Sequence, residues 1–321
     1  MHAEPTPLEP AVVDGPAVVV EGLRKTYGDK VAVEDVSFTV AQGEIFGILG
    51  PNGAGKTTTV EAIAGLRSSD AGSIRVLGID PWTQHDRLAR VLGIQLQESK
   101  LQPKITVREA LQLWSTFYDD PAPWQDLAER VGMSEHLDRR FATLSGGQQQ
   151  RLSVALALVG RPEVAILDEL STGLDPRARR EVWDMVRGLR DSGATILLVT
   201  HAMDEAQQLC DRIAIFQHGR LAALDSPDGL ISATAAATVT SFRADAPVDL
   251  EALRDLPDVA AVQTDAGRIL VHGQEGVALT VVGHLEHAGV TPRQLRVVDG
   301  SLDSAYLDLT DEQPHRAEEP A

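Results

Sequence analysis

The spacing of apolar residues divides the first 230 residues into alternating strands and helices. Ala32–Val40 alternates apolar and polar positions, which is typical of a half-buried strand. Continuous apolar runs at Glu44–Leu49 and Val164–Glu169 predict short buried strands, whereas helical spacing at Thr106–Tyr118 and Gln148–Val159 predicts helices. Further strands are predicted at 17–23, 74–78, 195–200, 213–217 and 220–223, and further helices at 59–64, 126–131 and 177–189. Strands alternating with helices indicate an α/β fold.

The last ninety or so residues have a different character, because no lysine occurs from Leu230 onward. Their pattern predicts, in order, a strand at 238–244, a helix at 250–255, strands at 259–264 and 268–272, a helix at 275–288, a strand at 295–298 and a helix at 302–309. That order resembles a split β-α-β domain. We therefore expect a disordered tail at 1–16, a main domain at 17–230 with a helical subdomain at about 98–160, a small α+β domain at 231–311 and a tail at 312–321.

The strand predicted at 44–49 leads directly into a glycine-rich segment that fits the pattern G-x-x-x-x-G-K-[ST]. Such a loop between a strand and a helix turns its backbone N–H groups and the positive end of the helix dipole towards a polyanion. A plain glycine-rich turn is the structural alternative. The predicted phosphate-binding residues are Gly50, Pro51, Asn52, Gly53, Ala54, Gly55, Lys56, Thr57 and Thr58.

A second group of motifs follows further along the chain. It comprises Leu144-Ser145-Gly146-Gly147-Gln148, the apolar run ending in Asp168-Glu169, Thr172-Gly173-Leu174-Asp175 and finally His201. Together with the phosphate loop, this set resembles the ATP-binding-cassette (ABC) ATPases over roughly Val18 to Leu230. The resemblance implies a P-loop ABC ATPase core, a mixed sheet flanked by helices, with an inserted helical subdomain.

The resemblance also implies ligands and roles for particular residues. Lys56 would neutralise the outer phosphates of ATP, and Tyr27 would stack on the adenine; the less favoured alternative for Tyr27 is an amphipathic turn residue. Mg²⁺ would be held by Thr57, Asp168 and Gln97. The catalytic set would be Glu169 polarising the attacking water, His201 on the γ-phosphate, Gln97 and Lys56.

The signature segment, Ser145–Gln148, is implied to act in a second copy of the chain. By resemblance, Ser145, Gly146, Gly147 and Gln148 would close over ATP held by a partner chain, together with Asp175. This arrangement makes the active unit a head-to-tail homodimer with ATP in the interface. The alternative is that Ser145 simply caps a helix.

Three further features extend or qualify the resemblance. The helical subdomain, in particular 98–118, would receive a separate integral-membrane permease, unless it is a solvated hairpin without a partner.

Relatives commonly carry proline after the acidic pair, whereas this chain has Leu170, which puts the stiffness of that loop in doubt. The C-terminal region resembles that of the drug- and antibiotic-exporter branch, and we interpret it as dimer-stabilising or regulatory rather than ligand-binding.

Composition limits the alternatives. With 47 acidic and 29 basic residues the formal charge is −18, which disfavours a nucleic-acid partner. The longest apolar runs are too short to span a bilayer, and residues 1–7 lack the features of a secretory signal. The lone Cys210 fits a small buried apolar residue. We therefore expect a protein at the cytoplasmic face of the membrane, attached through its permease.

Two other functions share the same motifs. A soluble ABC protein of DNA repair or translation usually has two cassettes or a coiled-coil insertion, but Ser145 lies only 89 residues after Lys56. A nucleotide sensor that barely hydrolyses ATP would lack the lysine or the acids, which are present here. The sequence thus favours the ATP-hydrolysing subunit of an exporter of drugs, antibiotics or other hydrophobic small molecules.

Overall fold

The computed structural model describes residues 15–95, 101–234, 238–265, 267–274 and 276–311. Its strands are β1 Val18–Tyr27, β2 Lys30–Val40, β3 Ile45–Leu49, β4 Ala71–Val76, β5 Leu92–Gln95, β6 Val164–Asp168, β7 Thr195–Val199, β8 Arg212–Gln217, β9 Arg220–Asp225, β10 Thr238–Ala244, β11 Val259–Asp265, β12 Arg268–Gly273 and β13 Pro292–Asp299. Its α-helices are α1 Lys56–Ile63, α2 His85–Val91, α3 Val107–Ser115, α4 Trp124–Arg130, α5 Gly146–Ala157, α6 Pro176–Asp191, α7 Met203–Leu209, α8 Pro227–Ser232, α9 Leu250–Arg254, α10 Val277–His287 and α11 Leu302–Asp311. The predicted α/β class is confirmed.

The central sheet has the order β5-β6-β7-β3-β8-β9. Its first five strands are parallel, and β9 returns antiparallel to β8. A second, antiparallel sheet has the order β2-β1-β4. Because the strands of the parallel part all end at one edge, the loops after β3, β6 and β7 meet there, as in other open α/β sheets.

Apolar side chains of the central strands alternate between two buried clusters. Phe46 and Ile48 of β3 face the antiparallel sheet, where Phe46 stacks on Phe38 with ring centroids 5.1 Å apart. Ile45 and Leu49 face the other way, towards the buried side chains of α6 and α7. The central sheet is thus covered on both faces, which explains why its strands are continuous apolar runs rather than alternating ones.

The helical subdomain has a core of its own, formed by side chains of α3, α4 and α5. Helix α3 starts at a capping box, in which the Thr106 side chain accepts from Glu109 N and the Glu109 carboxylate accepts from Thr106 N. Val107, Ala110 and Leu111 are fully buried. Leu113 on α3 and Phe117, two residues after the end of α3, remain exposed at 45% and 67%.

The C-terminal residues form a four-stranded antiparallel sheet of order β11-β12-β10-β13. Strand β12 lies between β10 and β11, which are connected by α9, so this is the predicted split β-α-β arrangement. Phe242, Val271, Val281 and Leu285 are fully buried between this sheet and its helices.

The last described helix, α11, leaves this sheet and packs against the apolar cluster that contains the buried side chains of α6 and α7. Leu302 is fully buried in the same cluster as Leu230, and Tyr306 packs against that cluster. Gln217 Nε2 donates to Thr310 O at 2.6 Å. The chain thus returns to this buried cluster after forming the C-terminal sheet.

Candidate active site

The phosphate loop joins β3 to α1 with three glycines at positive φ. Gly50, Gly53 and Gly55 have φ of 151°, 81° and 103°. A Cβ atom at Gly50 would lie 2.4 Å from Phe216 O, and one at Gly55 would lie 2.6 Å from Ala32 O. Both are backbone contacts that cannot move aside, so glycine is required at these two positions for steric as well as conformational reasons.

Lys56 is the first residue of α1 and lies over the same loop. Its Nζ donates to Gly50 O at 2.6 Å and to Pro51 O at 3.1 Å. Burial lowers the pKa of Lys56, and the negative charges of Glu169 and Asp168 oppose that shift. The ammonium group therefore lies within the electrostatic field of the acids at the end of β6.

Three predicted residues meet at the carboxyl edge of the central sheet. Asp168 ends β6, Glu169 follows it, and His201 lies just beyond β7. His201 Nδ1 and Glu169 Oε1 are 3.2 Å apart. Glu169 has φ of 51°, which is uncommon for a residue other than glycine, and its N–H donates to Val199 O at 2.8 Å. The unusual backbone conformation is thus fixed to β7, the strand that precedes His201.

These residues surround one cavity of about 770 Å³. Its lining brings together the phosphate loop, both acids and the histidine: Tyr27, Lys30, Ala32, Gly50, Pro51, Asn52, Gly53, Gly55, Lys56, Thr57, Thr58, Asp168, Glu169, Val199 and His201. Ala54 is buried behind the loop at 3% exposure. Of the predicted phosphate-loop residues, Ala54 therefore contributes to packing rather than to the cavity surface.

Tyr27 lines the cavity with a side chain that is 41% exposed. Its ring contacts two cations, since Arg67 Cζ and Lys25 Nζ lie 5.2 Å and 5.8 Å from the ring centroid. The position suits the predicted contact with a planar base, and the neighbouring cations suit an anionic ligand.

The residues predicted to hold Mg²⁺ supply the donor atoms that this ion prefers. Thr57 and Asp168 line the same cavity and offer a hydroxyl and a carboxylate oxygen. Mg²⁺ is usually held by one or two such protein oxygens together with phosphate oxygens and water. The third predicted ligand, Gln97, lies outside the described residues. The two described donors therefore fit the ion.

Leu170 replaces the proline expected after the acidic pair, and it is fully buried in the apolar cluster under the central sheet. Ser171, the next residue, is also buried, at 4% exposure. Side-chain packing thus anchors this loop directly after Glu169. The stiffness that proline would supply through a fixed φ is supplied here by burial.

Gln95 makes a hydrogen bond at the site that the sequence analysis did not predict. It ends β5 at 3% exposure, and its Oε1 accepts from Asp168 N at 3.1 Å. The bond connects β5 to the end of the strand that carries the acids. A glutamine at the end of an apolar run was the available signal, because a polar side chain in a buried strand needs a partner.

The signature segment begins α5 with a second capping box. Ser145 Oγ accepts from Gln148 N at 3.3 Å, and Gln148 Oε1 accepts from Ser145 N at 3.0 Å. Ser145 and Gly146 are exposed. Ser145 therefore caps the helix while its N-terminal end stays open to a partner.

The Asp175 loop, residues 172–175, lies beside the N-terminal end of α5. Asp175 caps α6 by accepting from Arg177 N and Ala178 N, both at 3.0 Å. A Cβ atom at the buried Gly147 would lie 3.1 Å from the Ala178 Cβ atom. Within the described part of the chain, neither Asp175 nor the signature segment lines the cavity. The residues predicted to act in a second copy therefore cluster together, away from the chain's own phosphate loop.

Comparison with known proteins agrees with this geometry. The profile of the ABC transporter family matches residues 33–172. A Nod factor export ATP-binding protein I from Ralstonia nicotianae is 39% identical over 266 residues, covering 81% of this chain and 82% of that protein. The chain belongs to the ABC transporter family. The protein of the same name from Rhizobium etli is 37% identical to this ABC ATPase and covers 92% of it.

A solved structure supports the same assignment of the fold. The structure of cbiO1 from Clostridium perfringens, described as part of the ABC transporter complex cbiONQ, has 27% sequence identity and a TM-score of 0.62. It covers 67% of this chain and 90% of its own. This ABC ATPase is thus an ATP-binding transporter subunit, and no helix in its described residues has the length and apolar character needed to cross a bilayer.

Proposed function

We propose that this ABC ATPase hydrolyses Mg-ATP between two copies of the chain and thereby drives a separate permease that exports hydrophobic small molecules, such as drugs or antibiotics. The observation that carries the proposal is the cavity in which Lys56, Asp168, Glu169 and His201 meet. It combines a phosphate-binding cation, a metal-binding acid and a candidate general base.

Each residue has a distinct role in the proposed reaction. Glu169 accepts a proton from the water that attacks the γ-phosphorus, and His201, within 3.2 Å of Glu169, donates a hydrogen bond to the γ-phosphate. Lys56 and the backbone N–H groups of the phosphate loop neutralise the transferred group. Thr57 and Asp168 would hold Mg²⁺, which would supply further charge neutralisation on the phosphates.

The proposed dimer explains why the signature segment lies outside the cavity. Its exposed N-terminal end at Ser145 and the Asp175 loop form one surface. In a head-to-tail dimer, this surface covers the phosphate loop of the partner, and the helix dipole stabilises the negative γ-phosphate. ATP then joins the two chains, so that binding and hydrolysis close and open the dimer.

The proposed permease contact is an apolar groove between the core and the helical subdomain. A cavity of about 230 Å³ is lined by Leu66, Leu88, Ile94 and Tyr118, among others. Leu66 is 53% exposed, and Phe117, which directly precedes the groove residue Tyr118, is 67% exposed. Exposed apolar residues around a groove suit a short helix of a membrane partner at the cytoplasmic face of the membrane. The names of these relatives, which describe export, support the proposed direction of transport.

A charge at the exposed apolar side chain beside this groove is expected to weaken the proposed contact with the permease. Phe117→Glu should reduce recovery of the ATPase with a detergent-solubilised membrane partner by about tenfold or more, because a carboxylate would be desolvated at the contact. The ATPase activity of the isolated protein should stay within about twofold of wild type.

Leu279→Glu is the matched control, because Leu279 is 80% exposed on α10. It should leave recovery unchanged. Equal recovery of the wild type and the Phe117 variant would refute the groove as the contact. A wild type that associates with no membrane protein would instead favour a soluble ABC protein.

A further inference from the structure

The loop between α1 and β4, residues 64–70, contacts the Tyr27 ring from outside the ATP cavity. Arg67 Cζ lies over this ring, 5.2 Å from its centroid. Tyr27 lines the cavity, but Arg67 is not among the described residues that do so. Arg67 therefore contacts the ring without forming part of the cavity wall.

Arg67 is fixed to the last turn of α1. Its Nε donates to Glu61 Oε2 at 2.5 Å. The N–H groups of Leu66 and Arg67 donate to Glu61 O at 2.9 Å and 3.2 Å, so the loop turns back onto the same residue. The guanidinium charge is thus paired and its position is set by α1. Because α1 begins at Lys56, one helix carries the phosphate-binding lysine at its start and the support of Tyr27 near its end.

The end of the same loop fixes the backbone that precedes Tyr27. Asp70 Oδ2 accepts from Thr26 N at 2.7 Å, and Asp70 Oδ1 accepts from Lys25 Nζ at 2.8 Å. The N–H of Asp70 donates to Arg24 O at 2.8 Å. The loop therefore holds the last residues of β1 by their backbone and Tyr27 by its ring.

A stacking contact is stronger when the ring is already in place. An exposed aromatic side chain loses rotamer freedom when a ligand immobilises it, and that loss is subtracted from the affinity. Tyr27 is 41% exposed, so burial alone does not hold its ring. A planar guanidinium stacked over the ring restricts its rotation before the ligand binds.

We propose that Arg67 is a positioning residue for the nucleotide base: joined to α1 through Glu61, it holds the Tyr27 ring at a fixed distance from the phosphate loop. The proposal rests on the ATP-hydrolysing function proposed above and on the predicted stacking of Tyr27 on the adenine. Arg67 should therefore set the affinity for ATP and leave the chemical step unchanged.

The first test removes the guanidinium group. Arg67→Gln should raise the Kd and KM for ATP by about three- to tenfold, while kcat at saturating ATP stays within about twofold of wild type. Arg24→Gln is the matched control, because Arg24 is an exposed arginine on β1, three positions before Tyr27. The control should bind ATP like the wild type. A wild-type Kd for Arg67→Gln, or an equal rise in the Kd of the control, would overturn the proposal.

The second test asks whether Arg67 acts through the ring. In a Tyr27→Ala background, Arg67→Gln should raise the Kd for ATP by less than about twofold further, because the ring that it positions is absent. Mg-tripolyphosphate, which has the phosphates but no base, should bind the wild type and Arg67→Gln with Kd values within about twofold of each other. A full, multiplicative loss in the Tyr27→Ala background, or weaker binding of tripolyphosphate to Arg67→Gln, would show that Arg67 acts on the phosphate site and would overturn the proposal.

A failure of this proposal is distinct from a failure of the proposed function. If Tyr27→Ala alone bound ATP with the wild-type Kd, the stacking contact and the role of Arg67 would both be refuted. Hydrolysis of ATP by the wild type would still stand in that case. A wild type that binds Mg-ATP but does not hydrolyse it would instead refute the proposed function.

Discussion

Glu169→Gln is expected to lower kcat for ATP hydrolysis by about 10²- to 10⁴-fold, the usual contribution of a general base. Glutamine keeps the size of the side chain and can still bond to His201, whose Nδ1 lies 3.2 Å from Glu169 Oε1. It cannot accept a proton from water. The affinity for ATP should therefore stay within a few-fold of wild type, and a single-turnover assay should show bound ATP that remains uncleaved.

Glu163→Gln is the matched control for this variant. Glu163 is an exposed acid directly before the same strand, β6, at the opposite end from Glu169. The Glu163→Gln variant should have the same kcat as the wild type. Wild-type turnover by Glu169→Gln would mean that another group activates the water.

Lys56→Met is expected to weaken ATP binding by about 10²- to 10⁴-fold. The methionine keeps the half-buried stem but removes the ammonium group and at least two charge-assisted hydrogen bonds to phosphate. Each such bond contributes about 1.5–3 kcal/mol, and each 1.4 kcal/mol is tenfold in affinity. Isothermal titration with Mg-ATP measures the change directly.

Lys104→Met serves as its control, because Lys104 is exposed in the helical subdomain. That variant should bind ATP like the wild type. Unfolding temperatures of both variants should be compared, since Lys56 also donates to Gly50 O and Pro51 O. An unchanged affinity in a folded Lys56→Met protein would exclude Lys56 from the phosphate site.

Much of the fold was predictable because local pattern and tertiary burial agree in this chain. The buried strands at 45–49, 164–168 and 195–199 are continuous apolar runs, as two covered faces require. The capping signals before α5 and α6 are also local in sequence, because Ser145 and Asp175 directly precede the helices that they cap.

Three helices, α2, α7 and α8, escaped prediction, and the reasons differ between α7 and α8. Helix α8 begins at Ser226 and Pro227, a capping residue followed by proline, and that signal was present but not used. Helix α7 has no capping side chain, and its first turn buries Glu205. A buried acid reverses the polar and apolar pattern from which a short helix is recognised.

The docking of α11 on the ATPase core could not be predicted from its spacing. The apolar positions of a helix show that one side is buried but not what covers it. Leu302 shares a cluster with Leu230 only because the intervening sheet returns the chain to the first domain.

The candidate site itself was mostly predictable, since β3, β6 and β7 end at one edge of the sheet. The structure adds the distance between His201 and Glu169 and the buried anchor at Leu170. Gln97 lies outside the described residues, and its role stays a prediction.

The most direct test of this account is the mass of Glu169→Gln saturated with Mg-ATP, measured by sedimentation equilibrium. ATP should raise the measured mass to twice the 34.5 kDa of one chain. Adding Ser145→Arg should return the measured mass to the mass of a single chain while ATP still binds, because the arginine would obstruct the exposed end of α5. A single-chain mass in saturating Mg-ATP would contradict the claim that ATP joins two copies of this protein. So would a dimer mass that changes neither on removal of the nucleotide nor on the Ser145→Arg substitution.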